Sequence, residues 1–440
     1  MRAVRSVERY HCGRLYALCL EMEGVPLEPC VIIPTFWTRK RSRPAGEGPF
    51  QYDHPTPIDE DGTLPECLRS LESVEGLERV VLIVAATHES VEYAAEDRVR
   101  EILADFPGLD ALVVGPAEMG SLHRRMEQLE FADVLDAVTL GSYGAVRNVG
   151  LMVAATLGCD LVVFVDDDQV ITDPSFLARA QEGIGEQTGK GKRVLAKSGY
   201  YTDEEGRYQF VTDAPWYDML WRQDEAFTEA LGAVARPPRI TPSTVAMGGC
   251  LAIHKDLYAS VPFDPWVARG EDVDYVINVR MHGGDVFLDG EWSVIHQPPK
   301  LPSEAAAFRQ DVFRFVYEHR KLEFSKSQVD LRQVAPESLM PYPGPFVEGS
   351  VVWRARATAL MRALAGKEPG EYLRIARRGV KQANEYARDN CERYFAFQRR
   401  WPMLMDRLWE DVALKTLFTG ERRIDRSAIT GRFPVVPPER

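Results

Sequence analysis

The sequence predicts an α/β fold: a mostly parallel sheet with helices on both faces, followed by a helical C-terminal extension. Three observations predict it. Short apolar runs rich in β-branched residues, at 31–33, 80–85, 111–114 and 161–165, read as strands buried on both faces. Segments with helical spacing, at 64–71, 91–106 and 143–157, alternate with them. From about residue 302 only helical patterns remain, at 304–324, 351–365, 370–397 and 403–417, with Pro- and Gly-rich joints such as Pro341-Tyr342-Pro343-Gly344-Pro345 between them.

Taken in order, residues 1–29 form an N-terminal extension with one candidate strand at 15–20. The first strong strand ends in Pro34-Thr35-Phe36-Trp37. A polar, Pro-rich segment over 38–62 follows, longer than the usual connection in a compact domain. Its Arg39, Lys40, Arg41 and Arg43 are either a solvated basic run or a surface for phosphate. The helix at 64–71 carries Pro65 in its first turn, where proline is tolerated. Beyond 161–165 the pattern predicts a helix at 174–182, a strand at 193–197, and a region rich in Tyr and Trp between Tyr200 and Trp221 that reads mainly as core. A glycine bend at Gly248-Gly249 runs into a strand, the segment from Phe263 opens a helix that ends near Met281, and two closing strands fall at 286–288 and 293–295. The chain thus divides into 1–29, an α/β unit at 30–300 and a helical region at 301–440.

Composition narrows the function. The formal net charge of −13 over 440 residues argues against a nucleic-acid backbone as partner. No apolar run approaches the roughly 20 residues that span a bilayer, and Arg2, Arg5, Glu8, Arg9 and His11 interrupt any signal-peptide core, so a cytoplasmic protein is expected. The 7 cysteines are scattered without close pairs, which suggests reduced thiols rather than disulfides or a zinc site.

The chain is organised around Asp166-Asp167-Asp168, three carboxylates where a buried strand surfaces. Like charges this close repel and favour partial protonation unless a cation sits among them. Mg²⁺ or Mn²⁺ is the simplest such cation, usually held by one or two carboxylates with substrate phosphates completing its shell. In open α/β sheets ligands bind beyond the carboxyl ends of the strands, where these residues fall. A polar turn capping the next helix is the alternative. Two further pieces need the same explanation: Glu271-Asp272, which could also complement a helix dipole, and His296 after the last strand.

In this order the pieces resemble the inverting GT-A glycosyltransferases, the nucleotide-sugar enzymes of the family 2 type. Val31-Ile32-Ile33-Pro34-Thr35 resembles the family's first strand, and Gly144-Ala145-Val146-Arg147-Asn148-Val149-Gly150 through Asp168 the run into its Asp-x-Asp site. Gly248-Gly249-Cys250-Leu251-Ala252-Ile253 is similar to the acceptor-side glycine strand, Arg269-Gly270-Glu271-Asp272-Val273-Asp274 to the Glu-Asp motif, and Val294-Ile295-His296-Gln297 to the His-Gln segment of chondroitin-polymerase-type members. The resemblance covers about residues 30–300. It implies a Rossmann-like GT-A domain that moves a sugar from a nucleotide-diphosphate donor, with UDP as the expected nucleotide, to an acceptor hydroxyl. It also implies that Pro34, Thr35, Arg147, Asp166, Asp167, Gly248 and Gly249 meet the donor. Asp168 and His296, with Asp166 beside them, would hold Mn²⁺ or Mg²⁺; Asp272 would be the base, and Glu271 would bind the acceptor or steady the site. One departure stands out: strand two of the family ends in an Asp that reads the base, whereas this chain has Val84-Ala85-Ala86-Thr87-His88.

Two rivals come from other classes. Asp166-x-Asp168 after a buried strand also fits a haloacid-dehalogenase-type phosphohydrolase, with Asp166 as nucleophile and Lys197 as a later motif. A sugar-nucleotide binder without activity is the other. A retaining GT-A enzyme stays open within the first class.

Overall fold

A computed structural model of the chain describes residues 27–39, 52–208, 214–297, 303–365 and 367–420. The candidate strand at 15–20, Lys40, Arg41 and Arg43, and Pro298-Pro299 lie outside the described residues.

The sheet begins with β1 (Pro29–Thr38), flanked by β3 (Val80–Ala86) and β5 (Leu161–Phe164), with β4 (Ala111–Val114) beyond β3, all parallel. β3 and β5 are buried almost throughout, and Cys30 to Ile33 of β1 are wholly inaccessible, as the continuous apolar runs require. The remaining strands make the sheet mixed. β9 (Leu251–His254) runs antiparallel between β5 and β7 (Ala196–Thr202), and β10 (Val286–His296) lies parallel to β7. The short β6 (Gln169–Val170) and β8 (Ile240–Ser243) pair antiparallel with β10, and β2 (Thr56–Pro57) adds a parallel pair at the end of β1.

Helices α1 (Leu64–Leu71), α2 (Glu92–Leu103), α3 (Pro116–Gln128) and α4 (Tyr143–Leu157) fill the first half. α3 has no counterpart in the sequence reading. α4 is buried from Gly144 to Leu157. Ser142 caps its start by accepting from the Ala145 N–H, and Gly158, at φ 85°, ends it in the left-handed conformation that glycine adopts without penalty. Asn148, buried in its middle, bonds both ways with the Phe263 backbone (2.8 and 2.9 Å), fixing α4 against the loop that leads to the Glu-Asp pair. α5 (Phe176–Gln181), α6 (Gln223–Leu231), α7 (Lys255–Tyr258) and α8 (Glu271–Met281) follow.

The C-terminal region consists of α9 (Glu304–Ser325), α10 (Val351–Ala365), α11 (Pro369–Arg374), α12 (Val380–Leu408) and α13 (Val412–Phe418). Two expectations are corrected here. The break anticipated between 397 and 403 is absent: α12 runs through Pro402 because Trp401, Leu404, Met405 and Leu408 keep a buried stripe on both sides of it. The two closing strands are one, β10, with a register irregularity between Leu288 and Ser293. Its interruption has a cause in Asp289, buried and bound by both Lys197 and Arg239 (2.9 and 2.7 Å). The helices share one buried core with the sheet, and polar groups cross between them: the Trp401 indole donates to the Tyr258 carbonyl (2.7 Å) and the Tyr386 hydroxyl to that of Trp266 (2.8 Å).

Candidate active site

The topology brings five chain segments to one sheet edge. The parallel strands β1 and β5 point their carboxyl ends there, so Thr35 and Asp166 emerge together. Because β9 is antiparallel to β5, with Phe164 opposite Leu251, the preceding Gly248-Gly249 falls beside the aspartates. β7 and β10 end at the same edge with Tyr201 and His296, and Gln169 pairs with His296 across β6 and β10.

Arg147 is the centre of this arrangement. It is 4% exposed, and each face of its guanidinium is engaged: Nε donates to Glu271 Oε1 (2.7 Å), Nη1 to the Gly248 carbonyl (3.0 Å) and Nη2 to Asp166 Oδ1 (3.1 Å). Phe164 lies under its cationic carbon at 5.0 Å. One arginine on a buried helix thereby ties the first aspartate, the glycine bend and the Glu-Asp helix. The glycines make room for it. A Cβ at Gly248 would stand 2.2 Å from Arg147 Nη2, and one at Gly249 would stand 2.1 Å from Gln169 Nε2 and 2.6 Å from Asp166 Oδ2.

The three aspartates have separate surroundings. Asp166 faces Arg147 with one oxygen and the Tyr201 hydroxyl (3.4 Å) with the other; that hydroxyl also accepts from the Gly249 N–H (2.8 Å). Burial pushes its carboxyl up, against Arg147, which lowers it. Asp167 turns to Thr35 and the Phe36 backbone, and burial together with Asp168 pushes it up to about 8. Asp168 Oδ2 stands 3.2 Å from His296 Nε2, while its Oδ1 is buried without a hydrogen-bond partner. The Gln297 N–H donates to the Asp168 carbonyl (3.0 Å), locking the two segments together. Among the described residues no three His, Cys, Asp or Glu side chains form a ready-made metal cage. A buried carboxylate oxygen without a partner beside an imidazole nevertheless fits a divalent ion that shares its shell with a ligand's phosphates. Asp166 is engaged by Arg147 and Tyr201, yet it is close enough to that pair for the charges of Asp168 and His296 to act on it.

Glu271 and Asp272 open α8. Gly270 precedes them at φ 65°, and a Cβ on it would lie 2.2 Å from Arg314 Nη1, so glycine serves there both the left-handed backbone and the close approach of α9. Asp272 Oδ2 accepts from the Gly248 N–H (3.0 Å) and Oδ1 from the Val273 N–H (2.7 Å). Burial and then Glu271 raise its carboxyl, while Arg314 and Arg147 lower it.

Pro34 lies within β1 opposite Ile83, and Thr35 is buried, accepting from the Trp37 indole (2.9 Å). Every residue expected at the site therefore falls on this one edge or directly behind it. The sequence reading missed Gln169, Arg314 and His54; it quoted Arg269 only within the Glu-Asp motif and Tyr201 only among aromatic residues read mainly as core, with stacking on sugar rings as the alternative. Gln169 Oε1 accepts from the Asp166 N–H (3.2 Å), and its place directly after the triplet was the available signal. His54 is close enough for the charges of Asp168 and His296 to act on it, and burial lowers its pKa. Arg269 pairs with Asp53 (3.4 Å) and Asp311 (3.6 Å), so the end of the 38–62 segment is fastened beside the site. Phe36, Tyr52 and Tyr143 pack there as well, the Tyr143 ring edge-on to the other two. Lys197, which a phosphohydrolase would need beside Asp166, is instead fully buried against Asp289 (2.9 Å) and the Glu182 carbonyl (2.8 Å). Trp221 is core, packed on Phe308, Phe315 and Phe346.

No family model matches the chain, and no curated protein does. Solved structures similar to it include the mannosyltransferase PcManGT from Pyrobaculum calidifontis in complex with GDP-Man and Mn²⁺, at 15% identity over 91% of this chain and 89% of that one, TM-score 0.44. GalNAc-T7 with UDP, GalNAc and Mn²⁺ is similar at 12% identity over 68% of this chain and 51% of that one, TM-score 0.36. A mycobacterial protein follows at 16% identity over 64% and 74%, TM-score 0.32. Likeness at this level leaves the reaction to be argued from the site's own residues.

Proposed function

We propose that the chain is a metal-dependent GT-A glycosyltransferase that moves a sugar from a nucleotide-diphosphate donor to an acceptor hydroxyl with inversion. The observation that carries this reading is the 3.2 Å approach of His296 Nε2 to Asp168 Oδ2, with Asp168 Oδ1 buried and unpartnered, on the same edge as the Asp272 carboxylate. Asp168 and His296 would hold the divalent ion, and the imidazole favours Mn²⁺ over Mg²⁺. When bound, such an ion supplies Lewis-acid stabilisation of the departing diphosphate. The chain's own residues do the rest. Arg147 keeps Asp166 and Glu271 fixed, and the Gly248-Gly249 bend leaves room for Arg147, Gln169 and Asp166 to stand beside the site proposed for the donor. Asp272 takes the proton of the acceptor hydroxyl as its oxygen bonds to the anomeric carbon and the sugar–phosphate bond breaks, its electron pair leaving with the nucleoside diphosphate. A single displacement inverts that carbon. UDP remains the expected nucleotide. The phosphohydrolase reading loses ground because Asp166, its nucleophile, is held by Arg147 and Lys197 is turned away.

Nucleotide release from UDP- and GDP-sugars with Mn²⁺, against p-nitrophenyl phosphate as the phosphatase substrate, tests the class. Asp168→Ala should abolish metal-dependent nucleotide binding by calorimetry. Asp272→Asn should retain that binding and lose on the order of 10²- to 10⁴-fold in transfer, the usual contribution of a general base. Transfer by Asp272→Asn at the parent rate would remove the base assignment.

A further inference from the structure

α10 is built inside out on one side. Val351, Ala355, Thr358 and Ala359 face the core, yet Trp353, Leu360 and Leu364, which return to one stripe at helical spacing, are 63%, 44% and 84% exposed. The neighbouring turn at 216–218 adds Trp216 and Met219, 61% and 58% exposed. The two segments adjoin: Arg362 Nε bonds Asp218 Oδ1 (2.5 Å), and Arg354 Nε bonds the Leu220 carbonyl (3.0 Å). Trp216 and Trp353 are the two tryptophans among the large exposed apolar residues, and they lie on these adjoining segments.

Charge says what such a surface fits. Between Val351 and Gly379 the chain carries 7 Lys and Arg against 2 Glu, in a protein of formal net charge −13. Glu371 is paired with Arg374 (2.6 Å) and Glu368 is bound by Ser303 (2.7 Å), while Arg356, Arg377 and Arg378 are exposed and form no ion pair among the described residues. Exposed Trp and Leu with unpaired basic residues are the composition of a helix that lies in a membrane interface. No described helix is long and apolar enough to cross a membrane.

We propose that the α10 face, with the Trp216 turn beside it, docks on a membrane surface containing anionic lipid. The indoles and leucines enter the headgroup boundary and the arginines meet lipid phosphate and carboxylate. This does not rest on the transferase reading, and it can fail or hold separately from it.

The test is flotation of the full chain with vesicles of phosphatidylcholine, alone or with phosphatidylserine. The parent should float with the anionic vesicles and be released as salt is raised. Trp353→Ser with Leu364→Ser should weaken binding on the order of tenfold or more. Arg356→Glu with Arg377→Glu should weaken it on the order of fivefold per charge. All four positions are exposed, so circular dichroism should not change. The proposal is overturned if the parent stays in the aqueous fraction with both vesicle types, or if both double variants float like the parent. It is also overturned if light scattering finds a dimer that Trp353→Ser with Leu364→Ser dissolves while vesicles bind nothing, which would make the occupant a second copy of the chain.

Discussion

Replacing Arg147 by methionine keeps most of the side-chain volume and removes the charge that three segments share. Glu271, 5% exposed, then faces the interior with no cation at 2.7 Å, and Asp166 loses its partner at 3.1 Å. Breaking a buried pair by deleting one member costs about 3–5 kcal/mol, most of it the uncompensated charge left behind. Glu271→Gln is the milder change, because Arg147 still has Asp166 and the Gly248 carbonyl; it forfeits one charge-assisted bond, about 1.5–3 kcal/mol. The double variant, Arg147→Met with Glu271→Gln, should cost less than the sum, since a neutral amide beside a thioether leaves no buried charge at that point, with a coupling of about 1–3 kcal/mol. Urea unfolding of parent, single and double variants, extrapolated linearly, gives the cycle. Single effects that add to within about 0.5 kcal/mol would refute the view that Arg147 and Glu271 act as one unit.

Further outcomes follow from the same geometry. Asp167, held near 8 in the folded chain against an ordinary carboxylate value, binds its proton more tightly when folded. The stability this contributes is complete below about pH 4 and is lost as pH rises toward about 8; it amounts to a few kcal/mol at most after solvent screening. In a chelator, the urea midpoint of the parent should therefore fall over that range and that of Asp167→Asn should fall less; equal slopes would rule it out. Gly249→Ala drives a methyl group into Gln169 and Asp166 and should cost about 1–3 kcal/mol in stability. Nucleotide binding should weaken with it while secondary structure by circular dichroism is unchanged, and an unaltered binding constant would show that the bend is not at the donor. Because burial raises Asp272, the base role proposed for it requires the acid limb of kcat/KM to lie above the usual carboxylate range and to vanish in Asp272→Asn.

What was legible in the sequence was what is local. Asp166 to Asp168 announced themselves because three carboxylates directly after a buried strand have few inexpensive explanations, whereas Arg147 entered only through the resemblance of the 144–150 run, and nothing local foretold the three partners it ties together. The residues that escaped reading meet only through topology. Tyr201 reaches Asp166 because β9 inserts antiparallel between β5 and β7, a pairing no local pattern encodes. α3 was overlooked because its buried residues, Ala117, Met119, Leu122 and Met126, are spaced among Gly120 and charged positions; its start is fixed instead by Glu118 accepting from the Gly115 N–H (2.9 Å). Pro402 misled in the opposite direction, since a proline inside a helical pattern ordinarily marks a break and here the packing on both sides outweighs the lost hydrogen bond.

The helices after residue 303 are best understood as part of the site's wall. A brace that merely covered the sheet would meet it through apolar contact, as much of this interface does. At α8, however, the contact is ionic and wholly buried: Lys321 of α9 lies between Asp264 and Asp274, 2.8 Å from each, and the Tyr317 hydroxyl donates to Asp264 (2.9 Å). Burying one cation between two carboxylates gains little over an apolar contact of the same volume, so its consequence is geometric: it fixes the rotation of one helix against the other. α8 carries Glu271 and Asp272 on its first turn, and earlier on α9 Arg314 presses against Gly270, pinned by Glu318 (2.8 Å) and the ring of Phe315 (4.8 Å). The direction in which Asp272 points is therefore set from the C-terminal side as much as from Gly248, and removing the tail would unfix Asp272 before it disturbed the aspartates that follow β5.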